Sequence, residues 1–204
     1  AIAISGNIAQ MGESVFSGCK ALAEVRFEEG VTAIDDELFR DCVSLVHVTL
    51  PESLQTIGSG AFRGCTALTT VDMAPECLRS IGNDAFRGCT SLESIDLPDT
   101  LTRLGTAAFQ DCTAMTHADL GESLEAIDMY AFAGCTSLES VNIPESVTAV
   151  GYFAFSGCES LRSIRLPYAV TEFGSNILFG CTALEEVHVR NLANWCITLF
   201  GDNP

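Results

Sequence analysis

The chain has 204 residues, 48% of them hydrophobic, which supplies enough apolar surface for a substantial core. Mean hydropathy is positive at +0.30, yet no apolar run approaches the roughly 18 residues that cross a bilayer, which argues against a membrane span. A net charge of −17, with Lys20 the only lysine, lacks the clustered cations that phosphate-backbone binding needs; it excludes nucleic acid and argues against anionic membranes as partners.

The first residues, Ala1-Ile2-Ala3-Ile4, have neither the charged start nor the long apolar run of a signal peptide. Ile2 and Ile4 read instead as the end of a strand from a preceding coil. Residues 1–7 are therefore expected to be the remains of a truncated repeat, with a parent protein that extends further N-terminally. A repeating unit then begins at Ile8 and restarts at Val31, Leu54, Leu78, Leu101, Leu124, Val147 and Val170. Cysteines keep the same beat at positions 19, 42, 65, 89, 112, 135, 158 and 181, separated by 23 residues everywhere but for one step of 24. The extra residue lies near Ala74-Pro75-Glu76-Cys77, and because the period resumes after it, it belongs to a loop. Eight units fill residues 8–192; the tail 193–204, with Trp195 and Phe200, is expected to fold over the last coil as a partial cap.

Within each unit the segment Leu-x-x-Val-x-Leu, as at Leu138, Val141 and Ile143, alternates and is β-branched in its second half, so it predicts a short strand. Proline follows at Pro51, Pro98, Pro144 and Pro167, where the missing N–H ends the ladder. One coil separates successive strands and leaves no room for a hairpin, so the strands must stack in parallel. The other half of the unit, for example Ile57 to Cys65, predicts a short helical turn. Phe recurs three residues before Cys at 16, 39, 62, 86, 109, 132 and 155, with Leu178 in the last unit, and a ring column inside a narrow coil reads as core. Together these features predict an α/β solenoid, a right-handed superhelix of eight coils, each with one short parallel strand plus a short helical turn. At about 4.8 Å per coil it makes one rod of roughly 40 Å.

Two slots carry a finer signal. The first holds glycine at 12, 58, 82, 105, 151 and 174 but Asp35 and Asp128 elsewhere; the second, just before Cys, holds glycine except at Asp41 and Asp111. Aspartate tolerates positive φ, so left-handed backbone is expected at one or both slots.

The cysteine column runs along a line instead of converging, and no CxxC pair occurs, so no metal site and no cofactor are expected from it. Parallel Cβ vectors aim neighbouring sulfurs badly for disulfides, and a thiol packs well as a small hydrophobe, so the ladder is expected buried and reduced. Cys77 and Cys196 stand off it.

Residues between the core positions of successive strands form an outward grid: Glu24 and Arg26, His47 and Thr49, Thr70 and Asp72, Ser94 and Asp96, His117 and Asp119, Ser140 and Asn142, Ser163 and Arg165, Glu186 and His188. Such a face is rigid, extended and free to vary without disturbing the core, which makes it the expected ligand-binding surface. Its candidate residues are His47, Asp72, Asp96, His117, Asp119, Asn142, Arg165 and His188. Asp72, Asp96 and Asp119 share one strand position on consecutive coils; solvated carboxylates are the default reading, with a divalent cation or basic partner as the alternative. His117 lies near Asp96, Asp119, Ser94 and Ser140, but a flat face supplies neither pocket nor oxyanion donors, so no catalysis is expected. The exposed coil ends are edge strands, which leaves end-to-end pairing open for a chain otherwise expected to be monomeric.

The stretch Ile81-Gly82-Asn83-Asp84-Ala85-Phe86-Arg87-Gly88-Cys89-Thr90-Ser91-Leu92-Glu93-Ser94-Ile95-Asp96-Leu97-Pro98 resembles the BspA-type leucine-rich repeat, a family of surface antigens common in bacteria and present in some protists. The likeness covers about residues 8 to 192, and the tail Asn191-Leu192-Ala193-Asn194-Trp195-Cys196 resembles segments that follow the last repeat in bacterial members. The resemblance implies a leucine-rich-repeat solenoid in an extracellular or cell-surface protein. Its implied work is adhesion to a protein or glycan, on host matrix or another cell; a structural spacer that displays other domains is the alternative.

Overall fold

The computed structural model describes residues 1–7, 11–72 and 76–190. The start of the first unit at Ile8, residues 73–75 of the loop that carries the extra residue, and the tail with Trp195, Cys196 and Phe200 lie outside the described residues. Among the described residues sixteen short strands follow one another in chain order. One series, spaced by a coil, is β1 (Ile2–Ile4), β2 (Glu24–Phe27), β4 (His47–Thr49), β6 (Thr70–Asp72), β8 (Ser94–Asp96), β10 (His117–Asp119), β12 (Ser140–Asn142), β14 (Ser163–Leu166) and β16 (Glu186–Val189). Between them lie two-residue strands: β3 (Ala33–Ile34), β5 (Thr56–Ile57), β7 (Ser80–Ile81), β9 (Arg103–Leu104), β11 (Ala126–Ile127), β13 (Ala149–Val150) and β15 (Glu172–Phe173).

All the pairings are parallel and in register one coil apart, as the 23-residue period demands: Val25 sits beside Val48 and Ala118 beside Val141. The longer strands form the first sheet. It is hydrogen-bonded as three runs, β1-β2-β4-β6, β8-β10-β12 and β14-β16, and its first break coincides with the 24-residue step. The two-residue strands form a second sheet that runs without interruption through seven coils, from β3 to β15.

This second sheet departs from the expected single strand per coil, and no α-helix occurs among the described residues. The expected helical turn is a run of tight turns instead, and its hydrogen bonds explain why. Alternate N–H groups point to the next coil, as Phe62 N to Ala85 O at 2.8 Å and Gly64 N to Arg87 O at 2.8 Å. Those between reach back three residues, as Arg63 N to Gly60 O at 3.0 Å and Cys65 N to Phe62 O at 3.1 Å. An α-helix would spend all of these donors inside its own coil. Every second or so residue must turn outward, and a left-handed residue opens the run in every coil: Ser14, Glu37, Gly60, Asp84, Ala107, Tyr130, Phe153 and Asn176, with φ between 53° and 61°.

The slot before Cys is left-handed as well, at φ 57° for Asp41, 62° for Asp111 and 73° for Gly88. The first glycine slot serves a different purpose. A Cβ on Gly82 would stand 2.6 Å from Ser59 N, and one on Gly105 would stand 2.6 Å from Asn83 N, so there glycine lets adjacent coils approach. Aspartate fits this slot in two coils. Asp35 reaches back to accept the Met11 and Gly12 N–H groups at 2.9 and 2.8 Å. Asp128 is half-buried; desolvation pushes its carboxyl above the usual range, and the charge of Arg103 partly offsets this.

The interior is apolar throughout, with no buried charged or polar residue among the described residues. Six rings, Phe39, Phe62, Phe86, Phe109, Phe132 and Phe155, are fully buried, and with the half-buried Phe16 they stack at 5.2 to 5.6 Å with planes within 14°. Beside them runs the thiol column. Each sulfur from Cys42 to Cys181 donates to the carbonyl of the previous coil's Phe at 3.1 to 3.3 Å, and that carbonyl also accepts the N–H of its own coil's Cys. Cysteine thus fills a small apolar space and still satisfies its weak donor. The described cysteines are all free; Cys42 to Cys158 on the ladder are buried, Cys181 is half-buried, and Cys19 and Cys77 are exposed. Burial pushes the Cys42 thiol up to about 11 and the deeper ones further.

Candidate functional site

The alternation of the first sheet turns one residue of each pair inward and presents its neighbours outward. In β2 Val25 and Phe27 are buried while Glu24 and Arg26 are exposed, and in β8 Ile95 is buried between the exposed Ser94 and Asp96. All eight sequence-predicted face residues, His47, Asp72, Asp96, His117, Asp119, Asn142, Arg165 and His188, lie on strands of this one sheet.

Their register places them in two rows. His47 pairs with Thr70 and His117 with Ser140, and in each case Nδ1 meets the partner hydroxyl at 2.9 Å. Nε2 of His47 lies 3.2 Å from the Thr49 hydroxyl and 3.6 Å from the Asp72 carboxylate. His47 therefore ties β4 to β6 through two side-chain contacts. His188 leans on Glu186 of its own strand at 3.0 Å. Arg165 reaches Glu145 at 3.3 Å, and Arg190 meets the same carboxylate oxygen at 2.9 Å, which makes a small exposed charge network at the last coils. Exposed pairs of this kind orient side chains more than they stabilise.

The acidic row is uneven. Asp96 and Asp119 are register partners, and Asp119 beside Asn142 accepts from its amide at 3.4 Å and from Gly121 N at 3.2 Å. Asp72 lies across the break between β6 and β8, beside Thr49 on its other side. Among the described residues no three His, Cys, Asp or Glu side chains converge on one point where a metal ion could sit. The sequence reading missed a second outward surface, along the turn that follows the second sheet. Nothing in the period announces it, because its residues differ from coil to coil.

The family model for the BspA type leucine rich repeat region matches residues 1–116 and 112–200, in 6 copies. A leucine-rich-repeat protein of T. pallidum is 32% identical, with 80% of this chain and 78% of that one covered and a TM-score of 0.73. One from Bacteroides ovatus is 29% identical at a TM-score of 0.65, covering 92% of this chain and 53% of its own length. A leucine-rich cell surface protein of Faecalibacterium prausnitzii is 27% identical at a TM-score of 0.61, covering 94% and 66%. The chain thus spans about half to two thirds of the latter two proteins. No curated protein matches it. Repeat, register and solved relatives agree that the chain belongs to the BspA-type leucine-rich-repeat family, whose members are generally non-catalytic binding or structural modules.

Proposed function

We propose that this protein is a non-catalytic adhesion module of the cell surface or the extracellular space, and that the first-sheet face docks a protein partner. The observation that carries this reading is the register of that face. Outward residues are held one coil apart on a parallel ladder, and they vary in chemistry from coil to coil while the inward ones stay apolar. A broad, flat and preformed surface suits a protein, because docking costs little reorganisation. The row Asp96–Asp119–Asn142 favours a partner with basic and amide groups opposite it. The likeness to a leucine-rich cell surface protein of F. prausnitzii supports the location. A glycan on the same face and a spacer that binds nothing are the competing readings.

Surface plasmon resonance against immobilised matrix proteins tests the proposal with a triple Asp72/Asp96/Asp119→Ala variant. A binder of the parent chain is expected to lose about tenfold or more in affinity with the variant, mainly through faster dissociation. Equal affinity of parent and variant would remove this face from the account.

A further inference from the structure

One row on the turn after the second sheet is carried from coil to coil by backbone bonds: Glu37 N to Ser59 O at 2.8 Å, Gly60 N to Asn83 O at 2.8 Å, Asp84 N to Thr106 O at 2.9 Å, Ala107 N to Met129 O at 2.9 Å and Tyr130 N to Tyr152 O at 3.0 Å. The row from Asp36 through Ser59, Asn83 and Thr106 to Met129 and Tyr152 is therefore continuous along the solenoid axis; its first four members are polar, and the apolar stretch is the pair Met129 and Tyr152, which the polar Ser175 follows in the next coil. The polar stretch borders two adjoining hollows of about 240 and 130 Å³, the larger also lined by Arg103. Asp36 and Asn83 are exposed there, each with one side-chain oxygen already fixed by the next coil's N–H, at 2.7 and 3.0 Å, so their planes are held in place.

The apolar pair is not explained by packing. Met129 is 40% and Tyr152 53% exposed. Beside them Tyr130 and Phe153 stack at 5.2 Å, only half-buried, and both hold φ near 57°. Bulky residues are strained in that region, and the other six coils use Ser, Glu, Gly, Asp, Ala or Asn at this position. Four large side chains thus stand on neighbouring coils, two of them stacked, at a surface the core does not need.

We infer that this track is a second binding site, for an extended, uncharged β-1,4-linked polysaccharide lying along the axis with about one sugar per coil. The pitch selects the ligand. Rings one coil apart are 5.2 Å apart on this track, and a β-1,4-linked hexose chain advances by nearly the same distance per sugar. A peptide advances about 3.3 Å per residue and falls out of step within two coils. Asp36, Asn83 and Arg103 offer acceptors and donors to sugar hydroxyls, and Met129 and Tyr152 offer an apolar flank to the C–H faces of the rings, the usual division of labour in a polar-rimmed site. The carboxylates of Asp36, Glu37 and Asp84 at the hollows, within a chain of net charge −17, repel a polyanionic glycan.

Isothermal titration calorimetry with cellohexaose, mannohexaose and N-acetylchitohexaose, their disaccharides, and maltohexaose as a curled α-linked control tests this on the 204-residue chain. At least one β-linked hexasaccharide is expected to bind about tenfold more tightly than its disaccharide and than maltohexaose. Tyr152→Ala, at a half-exposed site where melting should not change, weakens it about tenfold, and Tyr168→Ala, an exposed tyrosine outside the track, leaves it unchanged. Absence of binding by all three β-linked hexasaccharides, no gain with length, equal binding of maltohexaose, or parent-like affinity of the folded Tyr152→Ala variant each overturns the inference.

Discussion

Replacing Phe109 by alanine lowers the unfolding free energy by about 3 to 5 kcal/mol, at the upper end for a buried ring. The ring is fully buried between Phe86 at 5.2 Å and Phe132 at 5.4 Å. Collapse into the hole is blocked because the backbone on both sides is pinned. Phe109 N donates to Ala131 O at 2.8 Å, and its carbonyl accepts from Cys112 N and from the Cys135 thiol. In a solenoid the same loss weakens two interfaces between coils at once, so the damage is not confined to one repeat. Calorimetric melting should fall by about 10 °C for a domain of this size. Phe16→Ala, at a half-buried ring with a single stacked neighbour, should cost clearly less. Equal melting of the Phe109→Ala variant and the parent would rule out the ring column as core.

The thiol column makes the fold sensitive to alkali. In the unfolded chain these thiols ionise near their ordinary value of 9.0, whereas burial holds Cys42 protonated up to about 11 and the deeper thiols beyond it. A raised folded value means that the stabilising contribution is complete below the unfolded value and is lost as pH rises above it. Each buried thiol then costs about 1.4 kcal/mol per pH unit, because only the unfolded state releases its proton. Six buried ladder thiols act in parallel, so the denaturant midpoint measured under reducing conditions should hold from pH 7 to 8.5 and drop steeply by pH 10. Cys89→Ala and Cys112→Ala together should lower stability at pH 7 yet flatten the drop. A midpoint that stays level to pH 10 would show that these thiols are not desolvated.

Much of this was legible from the chain alone, and the residues that escaped show why. The 23-residue beat, the first-sheet strands, the Phe column and the inward cysteines recur as residue types, so burial leaves a visible record. The second sheet left none. Strands such as Thr56–Ile57 are too short for alternation to register, and neighbouring coils hold them, not local propensity. The expected helical turn fails for the same reason: Ala85 and Arg87 are good helix formers, but Phe86 N is spent on Ala108 O of the next coil, and Ala85 O and Arg87 O accept from Phe62 N and Gly64 N of the previous one. The left-handed position escaped because Glu37, Ala107, Tyr130 and Phe153 stand at it, residues that do not advertise positive φ. The outward grid was legible by alternation, but its contacts, such as His47 with Asp72, depend on rotamers that spacing does not encode.

The claim beneath both the core and the binding surfaces is that each coil completes the hydrogen bonding of the one before it. Native-state hydrogen exchange followed by NMR measures this amide by amide. The amides of Phe39, Phe62, Phe86, Phe109 and Phe132, each bonded to the following coil, should be among the slowest to exchange and recur every 23 residues, with a single step of 24. Exchange of these amides as fast as exposed ones, or protection gathered in one stretch of chain without that period, would contradict the stacked architecture.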